Sequence, residues 1–345
     1  MNFRQTFLKI VFISILFLSS CDINNEYTSY HNDKNNYVLE EKNYQKEIDT
    51  FSFDSIKEIK DIQIYPTPDT EFLDNLTKKI DSAKEKVYVE MYIFTEKRLK
   101  KAIIDAKKRG LDIKILLEKN VYKAPYLNKP FYEDFQKNIN VRYSKFENYS
   151  LNHTKLMIVD DEAIVSTNYS YSTFKYNREF FLVIQNKEIY DVLKYIFLMD
   201  FDGKKTRIYQ DNLVLSPFYS RNKMEYLIEN AKDSIKIHAH NFNDENIKNL
   251  LIKKSKTIKI EIIFPSLEKI DSNKEIIYEF NKNNIKTYTI SKPIIHAKTI
   301  LIDDKYLYLS INFSKNSMDE NREIIVLKDE KIIKKYRETF EKDKK

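Results

Sequence analysis

The chain has 345 residues, a formal net charge of +7 and 42% hydrophobic residues, enough apolar content for a folded body with a proper core. Its single cysteine excludes a disulfide framework, and two glycines with seven prolines exclude collagen-like or Pro/Gly-rich low-complexity chains. The basic excess suits an anionic partner, either phospholipid headgroups or nucleic acid, although an evenly solvated lysine-rich surface gives the same count.

Arg4 and Lys9 make a positively charged leader, and Ile10 to Leu18 is an apolar run too short to cross a bilayer comfortably. Leu18-Ser19-Ser20-Cys21 has the form of a bacterial lipobox. Residues 1–20 are therefore expected to be a lipoprotein signal peptide, with Cys21 the lipidated first residue of the mature chain. That places the protein in the cell envelope as a membrane-anchored lipoprotein, periplasmic or on the surface. Residues 21–58 read as that lipidated cysteine and a flexible tether. The segment is polar, lacks a sustained period, and carries four lysines against nine acidic residues over 22–58.

Two similar blocks follow, 59–203 and 204–345. In the first, Thr67-Pro68 heads a helix-like stretch to Lys84, then a strand over Val87 to Phe94, an amphipathic helix over Arg98 to Arg109 and a strand over Asp112 to Leu117. In the second, Ser216-Pro217 heads the matching stretch to Lys232. A strand over Ile235 to Phe242, a helix over Asn246 to Lys254 and a strand over Ile258 to Ile263 come next. Each block closes on a helix, near Ile189 to Phe201 and Glu330 to Phe340. Strands alternating with helices predict an α/β lobe in each copy.

Between these elements the blocks share a motif. His153-Thr154-Lys155 leads through Leu156 to Val159 to Asp160, and His296-Ala297-Lys298 leads through Thr299 to Ile302 to Asp303. Each His-x-Lys run is followed by Ser-x-Asn (Ser166 and Asn168, Ser310 and Asn312), and then by Asn-Arg-Glu ending at Glu179 and Glu323. On a strand, alternate residues share a face, so each His and its Lys point the same way. A two-residue loop at Asp160-Asp161 sets Asn168 opposite His153 and Ser166 opposite Lys155. A three-residue loop around Asp304 sets Asn312 opposite His296 and Ser310 opposite Lys298. Imidazole, ammonium, hydroxyl and amide thus gather on one patch, which suits a phosphate. Asp160 and Asp303 stand too far along the strand to share that phosphate and are expected to be structural turn residues. Glu179 and Glu323 are the candidates to orient the histidines, since a carboxylate on one ring nitrogen fixes the tautomer.

His238 and His240 share a strand face in an H-x-H spacing, which fits a metal pair, the lining of a cleft or a structural role. Their counterparts in the first block, Glu90 and Tyr92, do not form a ligand pair, and no third ligand cluster is evident.

The doubled motif resembles the phospholipase D superfamily, the HKD phosphodiesterases, over nearly the whole body of the chain. The resemblance implies two similar α/β/α lobes packed with pseudo-twofold symmetry and one active site at their interface. It implies that one motif histidine attacks phosphorus to give a phosphohistidine, for which His153 is the choice. The other, His296, acts as general acid and base, and no metal or cofactor is required. Where the family usually has glycine before the motif serine, this chain has Val165 and Leu309. Three readings follow: a phospholipase D acting by hydrolysis or transfer on phospholipid headgroups, an extracytoplasmic nuclease using the same site, and a non-catalytic binding lipoprotein. The intact motif residues in both halves speak against the last.

Overall fold

The structure is a computed structural model that describes residues 51–345 apart from 146–148, 166, 205, 207, 310 and 329. The expected leader, Cys21, Ser166 and Ser310 lie outside the described residues.

The first lobe runs β1 (Ile62–Pro66), α1 (Thr70–Ser82), β2 (Lys86–Met91), α2 (Lys97–Lys108), β3 (Asp112–Leu117), α3 (Lys129–Phe135), β4 (Asn140–Tyr143), β5 (Lys155–Val159) and β6 (Glu162–Val165). It continues through α4 (Tyr171–Lys175), β7 (Asn177–Arg178), β8 (Phe180–Ile184) and α5 (Lys187–Phe201). The second lobe runs β9 (Leu213–Ser216), α6 (Ser220–Glu229), β10 (Ser234–Ala239), α7 (Glu245–Lys254), β11 (Lys259–Pro265), α8 (Lys274–Lys282) and β12 (Lys286–Ile290). After it come β13 (Ile294–Ile295), β14 (Lys298–Ile302), β15 (Tyr306–Leu309), α9 (Lys315–Asp319), β16 (Glu323–Lys328) and α10 (Glu330–Asp343). The sheet orders are β1-β8-β6-β5-β2-β3-β4 and β9-β16-β15-β14-β10-β11-β12, the same arrangement twice. The fold is a duplicated α/β architecture.

Local chemistry sets the element starts. Asp69 accepts from Phe72 N at the head of α1, and Asp244 accepts from Ile247 N at the head of α7. Central strands β5 and β14 are buried along their whole length because both faces of each sheet are covered, which explains their unbroken apolar runs. Helices α1 and α2 cover the outer face of the first sheet through Leu73, Leu76, Leu99 and Ile103. Met224, Leu227, Ile247 and Leu251 of α6 and α7 do the same for the second. Between the sheets lies one shared core, in which Leu156, Leu182, Leu193 and Phe197 of the first lobe join Leu301, Leu309, Tyr336 and Phe340 of the second. The two closing helices are therefore the middle of the molecule.

The tether expectation needs a correction at its end. Phe51 and Ile56 are buried in the outer core of the second lobe, and Phe53 stacks on Tyr306 at 4.3 Å. The Asn212 side chain bonds both backbone groups of Lys57. Packed chain thus begins by Phe51 rather than at Ile59, and it packs on the second lobe. Phe51, Phe53 and Ile56 are dispersed among polar neighbours without a strand or helix period, so composition hid them.

Candidate active site

The hairpins have the expected register. Leu156 pairs with Val165 and Val159 with Glu162, so the line of pairing carried past the strand ends sets Asn168 opposite His153. Thr299 pairs with Leu309 and Ile302 with Tyr306, which sets Asn312 opposite His296 in the same way. At the far ends, Asp160 and Asp303 adopt φ of 50° and 54°, a left-handed conformation that Asp tolerates better than most residues. Asp160 accepts from the backbone N–H groups of Lys84, Glu85 and Lys86, and Asp303 from those of Lys232, Asp233 and Ser234. Each motif aspartate clasps its hairpin turn to the start of the neighbouring strand. Partial burial would raise the Asp160 carboxyl, but these three donors hold it below its ordinary value.

The histidines are oriented across the lobe boundary. β13 pairs in parallel with β7, Ile294 to Asn177 and Ile295 to Arg178, so the next pair in register is His296 and Glu179. An isolated parallel bridge joins Asn152 to Arg322, and its next pair is His153 and Glu323. Side-by-side residues in register share a face. Accordingly Glu323 Oε2 lies 3.0 Å from His153 Nδ1, and Glu179 Oε1 meets His296 Nδ1. Each lobe's histidine is held by the other lobe's glutamate. Backbone bonds secure the crossing, with His153 N to Arg322 O at 2.9 Å and His296 N to Arg178 O at 3.1 Å.

Lys155 Nζ donates to the His153 carbonyl and sits 2.8 Å from His153 Nδ1; Lys298 repeats this at His296, 2.9 Å from Nδ1. One ring nitrogen cannot donate to a carboxylate and accept from an ammonium at once. Burial would raise Glu179, but His296 and Lys298 bring it down to about 2, and His153 likewise holds Glu323 low against burial. Both carboxylates are therefore ionised and favour a proton on the Nδ1 that faces them, which leaves Nε2 of each ring for chemistry. Burial, then Lys155, lowers His153 to about 4, with Glu323 opposing; burial also lowers His296. Burial drops Lys155 to about 7 and depresses Lys298. Lys298 acts on His153, and Lys155 acts on His296, so the groups of both lobes belong to one electrostatic site. A phosphodiester anion there would favour both ammonium ions. Asn168 is buried and accepts from Ile93 N at 3.1 Å; Asn312 is half-buried at the matching place.

Residues that the sequence reading did not assign complete the surroundings. Tyr92 packs edge-on against His153 with centroids 4.5 Å apart, and His240 packs against His296 at 4.4 Å. His240 Nδ1 donates to the Ile295 carbonyl at 3.0 Å, so His240 lines the site. His238 does not. It is fully buried, between the Tyr336 hydroxyl at 3.0 Å and Asp343 at 3.2 Å. Among the described residues no group of three or more His, Cys, Asp or Glu is placed to hold a metal ion. Beneath the site, Arg322 binds Asp200 through two nitrogens (2.8 and 3.1 Å), and Arg178 binds Asp343 (2.6 and 2.7 Å). Both pairs cross the lobes. The doubled Asn-Arg-Glu was the available signal, since a repeated arginine beside a buried strand needs a buried partner.

Two lobes of one α/β design, meeting at a shared histidine, lysine and glutamate site, define a duplicated phosphodiesterase-type enzyme fold. The PLD-like domain described as that of cardiolipin synthase matches residues 76–201 and 224–344, and the chain belongs to the phospholipase D superfamily. A phospholipase D of Rickettsia bellii is 29% identical over 118 residues, which is 34% of this chain and 57% of that protein. One from Rickettsia conorii is 27% identical over 126 residues, 36% of this chain and 60% of that one. The matched stretch thus spans less than two thirds of these relatives. The crystal structure of phosphatidylserine synthase from Haemophilus influenzae shares the fold at TM-score 0.65 and 12% identity, over 89% of this chain and 90% of that one.

Proposed function

We propose that the protein cleaves, or transfers, phospholipid headgroups as a phospholipase D through a phosphohistidine. The observation that carries this reading is the pair of crossed His–Glu dyads in one site. A double displacement needs a nucleophile and an acid, and each lobe supplies one imidazole with its Nδ1 proton engaged. In the first step His153 Nε2 forms a bond to phosphorus while the bond from phosphorus to the leaving oxygen breaks, and His296, entering this step as the imidazolium that the Glu179 carboxylate favours, gives that oxygen its Nε2 proton. In the second, His296 takes a proton from water or an alcohol, whose oxygen displaces His153 from phosphorus. Lys155 and Lys298 neutralise the phosphoryl oxygens.

The substrate choice rests on the leader. We place Cys21 as a lipid anchor in the cell envelope, which puts the site beside phospholipid. Phe51, the first described residue, is packed on the second lobe, and the covalent chain from Cys21 bounds its distance from that anchor to about 100 Å. The same chemistry on DNA or RNA is the competing reading, supported by the basic balance of the chain. Purified protein assayed with chelator on phosphatidylcholine, phosphatidylglycerol and single-stranded DNA decides between them. Release of headgroup with DNA left intact supports the lipid reading; cleavage of DNA with no headgroup release overturns it.

A further inference from the structure

The loop between β3 and α3, residues 118–128, departs from its counterpart in the other lobe. Both loops end on a buried asparagine that bonds the same backbone positions: Asn128 accepts from Phe94 N and donates to Tyr92 O, and Asn273 accepts from Phe242 N and donates to His240 O. The second-lobe loop, 266–273, is shorter and carries no aromatic residue. The first-lobe loop carries Tyr122, Tyr126 and Leu127, exposed by 73%, 54% and 39%.

These side chains are exposed from a fixed frame. Val121 is buried, Asn120 N is held by Glu118, Ala124 N bonds Val121 O, and Tyr126 N bonds Lys119 O. Lys123 and Tyr126 take φ of 58° and 66°, which costs a non-glycine residue about 1–2 kcal/mol. An ordered loop that accepts left-handed backbone yet leaves two tyrosines and a leucine in water points to a surface made to be covered. The frame also touches the chemistry, because Tyr122 N donates to the hydroxyl of Tyr92, the residue packed on His153. A second exposed cluster, Tyr171 and Tyr176 around Lys175, lies three residues before Glu179 at its near end.

We propose that the 118–128 loop is an interfacial docking element that seats the mouth of the active site on an anionic phospholipid surface. This rests on the lipid reading above and names the form in which that substrate is met. Tyrosine suits the headgroup layer, where its ring is buried and its hydroxyl stays wet. Lys119 and Lys123 are exposed beside the rings, 5.9 Å from the Tyr126 centroid and 5.3 Å from that of Tyr122, and supply the charge that complements anionic lipid. Those ammonium groups each occupy one ring face that a stacking nucleobase would use, and Leu127 offers a base no plane to stack on. Lipid is therefore favoured over nucleic acid as the occupant.

The test compares the full chain carrying Cys21→Ser, so that no acyl chain contributes, with the same chain also carrying Tyr122→Ser, Tyr126→Ser and Leu127→Ser. Both are sedimented with vesicles of phosphatidylglycerol and phosphatidylcholine, and both are assayed on those vesicles and on a water-soluble aryl phosphodiester. Loss of the apolar anchors should lower vesicle partitioning and vesicle turnover by about tenfold or more, with turnover of the soluble diester unchanged. Lys119→Glu with Lys123→Glu should remove the dependence on phosphatidylglycerol. Equal sedimentation of both chains overturns the proposal, as does loss of single-stranded DNA binding with vesicle binding intact. If neither chain cleaves any diester while the triple variant still loses vesicle binding, the docking surface stands and the phospholipase reading falls.

Discussion

Replacing Glu323 with Gln should disable His153 while leaving His296 intact, although Glu323 and His296 lie on the same lobe. Glu323 is 1% exposed and its Oε2 is 3.0 Å from His153 Nδ1. Attack on phosphorus leaves positive charge on the His153 ring. At about 4 Å between charge centres and an effective dielectric constant of about 20, the lost attraction is about 4 kcal/mol. That converts to a rate loss of about a thousandfold. Glutamine retains the shape and a carbonyl acceptor, so folding is preserved and the deficit is electrostatic. The assay is stopped-flow formation of the phosphoenzyme with two substrates, one with an alkyl leaving group and one with a nitrophenyl. Glu323→Gln should slow both alike, because the nucleophile is impaired in either case. Glu179→Gln should slow the alkyl substrate far more, because only that leaving oxygen needs a proton from His296. If the two variants exchange these patterns, or if Glu323→Gln costs less than about tenfold, the crossed assignment is wrong.

Arg322→Met alone should cost about 3–5 kcal/mol, since it leaves Asp200 buried without its partner, whereas Arg322→Met with Asp200→Leu should recover most of that; urea unfolding of the single and double variants measures it. With the nitrophenyl substrate, whose leaving oxygen needs no proton from His296, kcat/KM should rise through about 4 as His153 loses its proton and fall above about 7 as Lys155 loses its own, because attack needs a neutral imidazole and phosphate binding needs the ammonium. A profile still rising at pH 9 would contradict the lysine's part. Labelled phosphate should be trapped on the wild type and on His296→Ala with a nitrophenyl substrate but not on His153→Ala; label on His296 with His153 dispensable reverses the two roles.

The legibility of this chain follows from what its repeat constrains. Strand pairing within a hairpin is set by a turn and a period of two, both local, so the facing of His153 with Asn168 and His296 with Asn312 could be read from spacing alone. The apolar runs of β5 and β14 likewise announce strands covered on both faces. The crossing of the dyads is a different kind of fact. Glu179 is nearer in sequence to His153 than to His296, and nothing in a single strand's pattern says which lobe supplies the neighbour. That neighbour is chosen by two short parallel contacts at the lobe boundary, Ile294 with Asn177 and Asn152 with Arg322, which are too brief to carry a periodic signal. Phe51 was missed for a related reason, because it packs singly on a surface that another part of the chain builds.

The symmetry also fails in places, and those places bear on how two equivalent histidines divide their work. Behind the first-lobe strand, burial and then Asp200 raise Glu90 well above its ordinary value, which favours its neutral form. The same position in the second lobe is His238, whose neutral form burial favours and which is bonded to Asp343; against burial, His238 and then Arg178 hold that carboxyl below its ordinary value. Each Arg–Asp pair therefore has beside it a group whose burial favours the neutral form, an acid in one lobe and an imidazole in the other. Two residues further along the substitution faces the site itself. His153 has the Tyr92 ring beside it, a phenol whose oxygen already accepts from Tyr122 N. His296 has His240, whose Nδ1 is committed to a carbonyl and whose other nitrogen, in the neutral ring, can only accept. An acceptor repels phosphoryl oxygens but welcomes a hydroxyl proton. That asymmetry supports the proposed division of roles, in which His296 meets the O–H group as acid and base and His153 meets phosphorus.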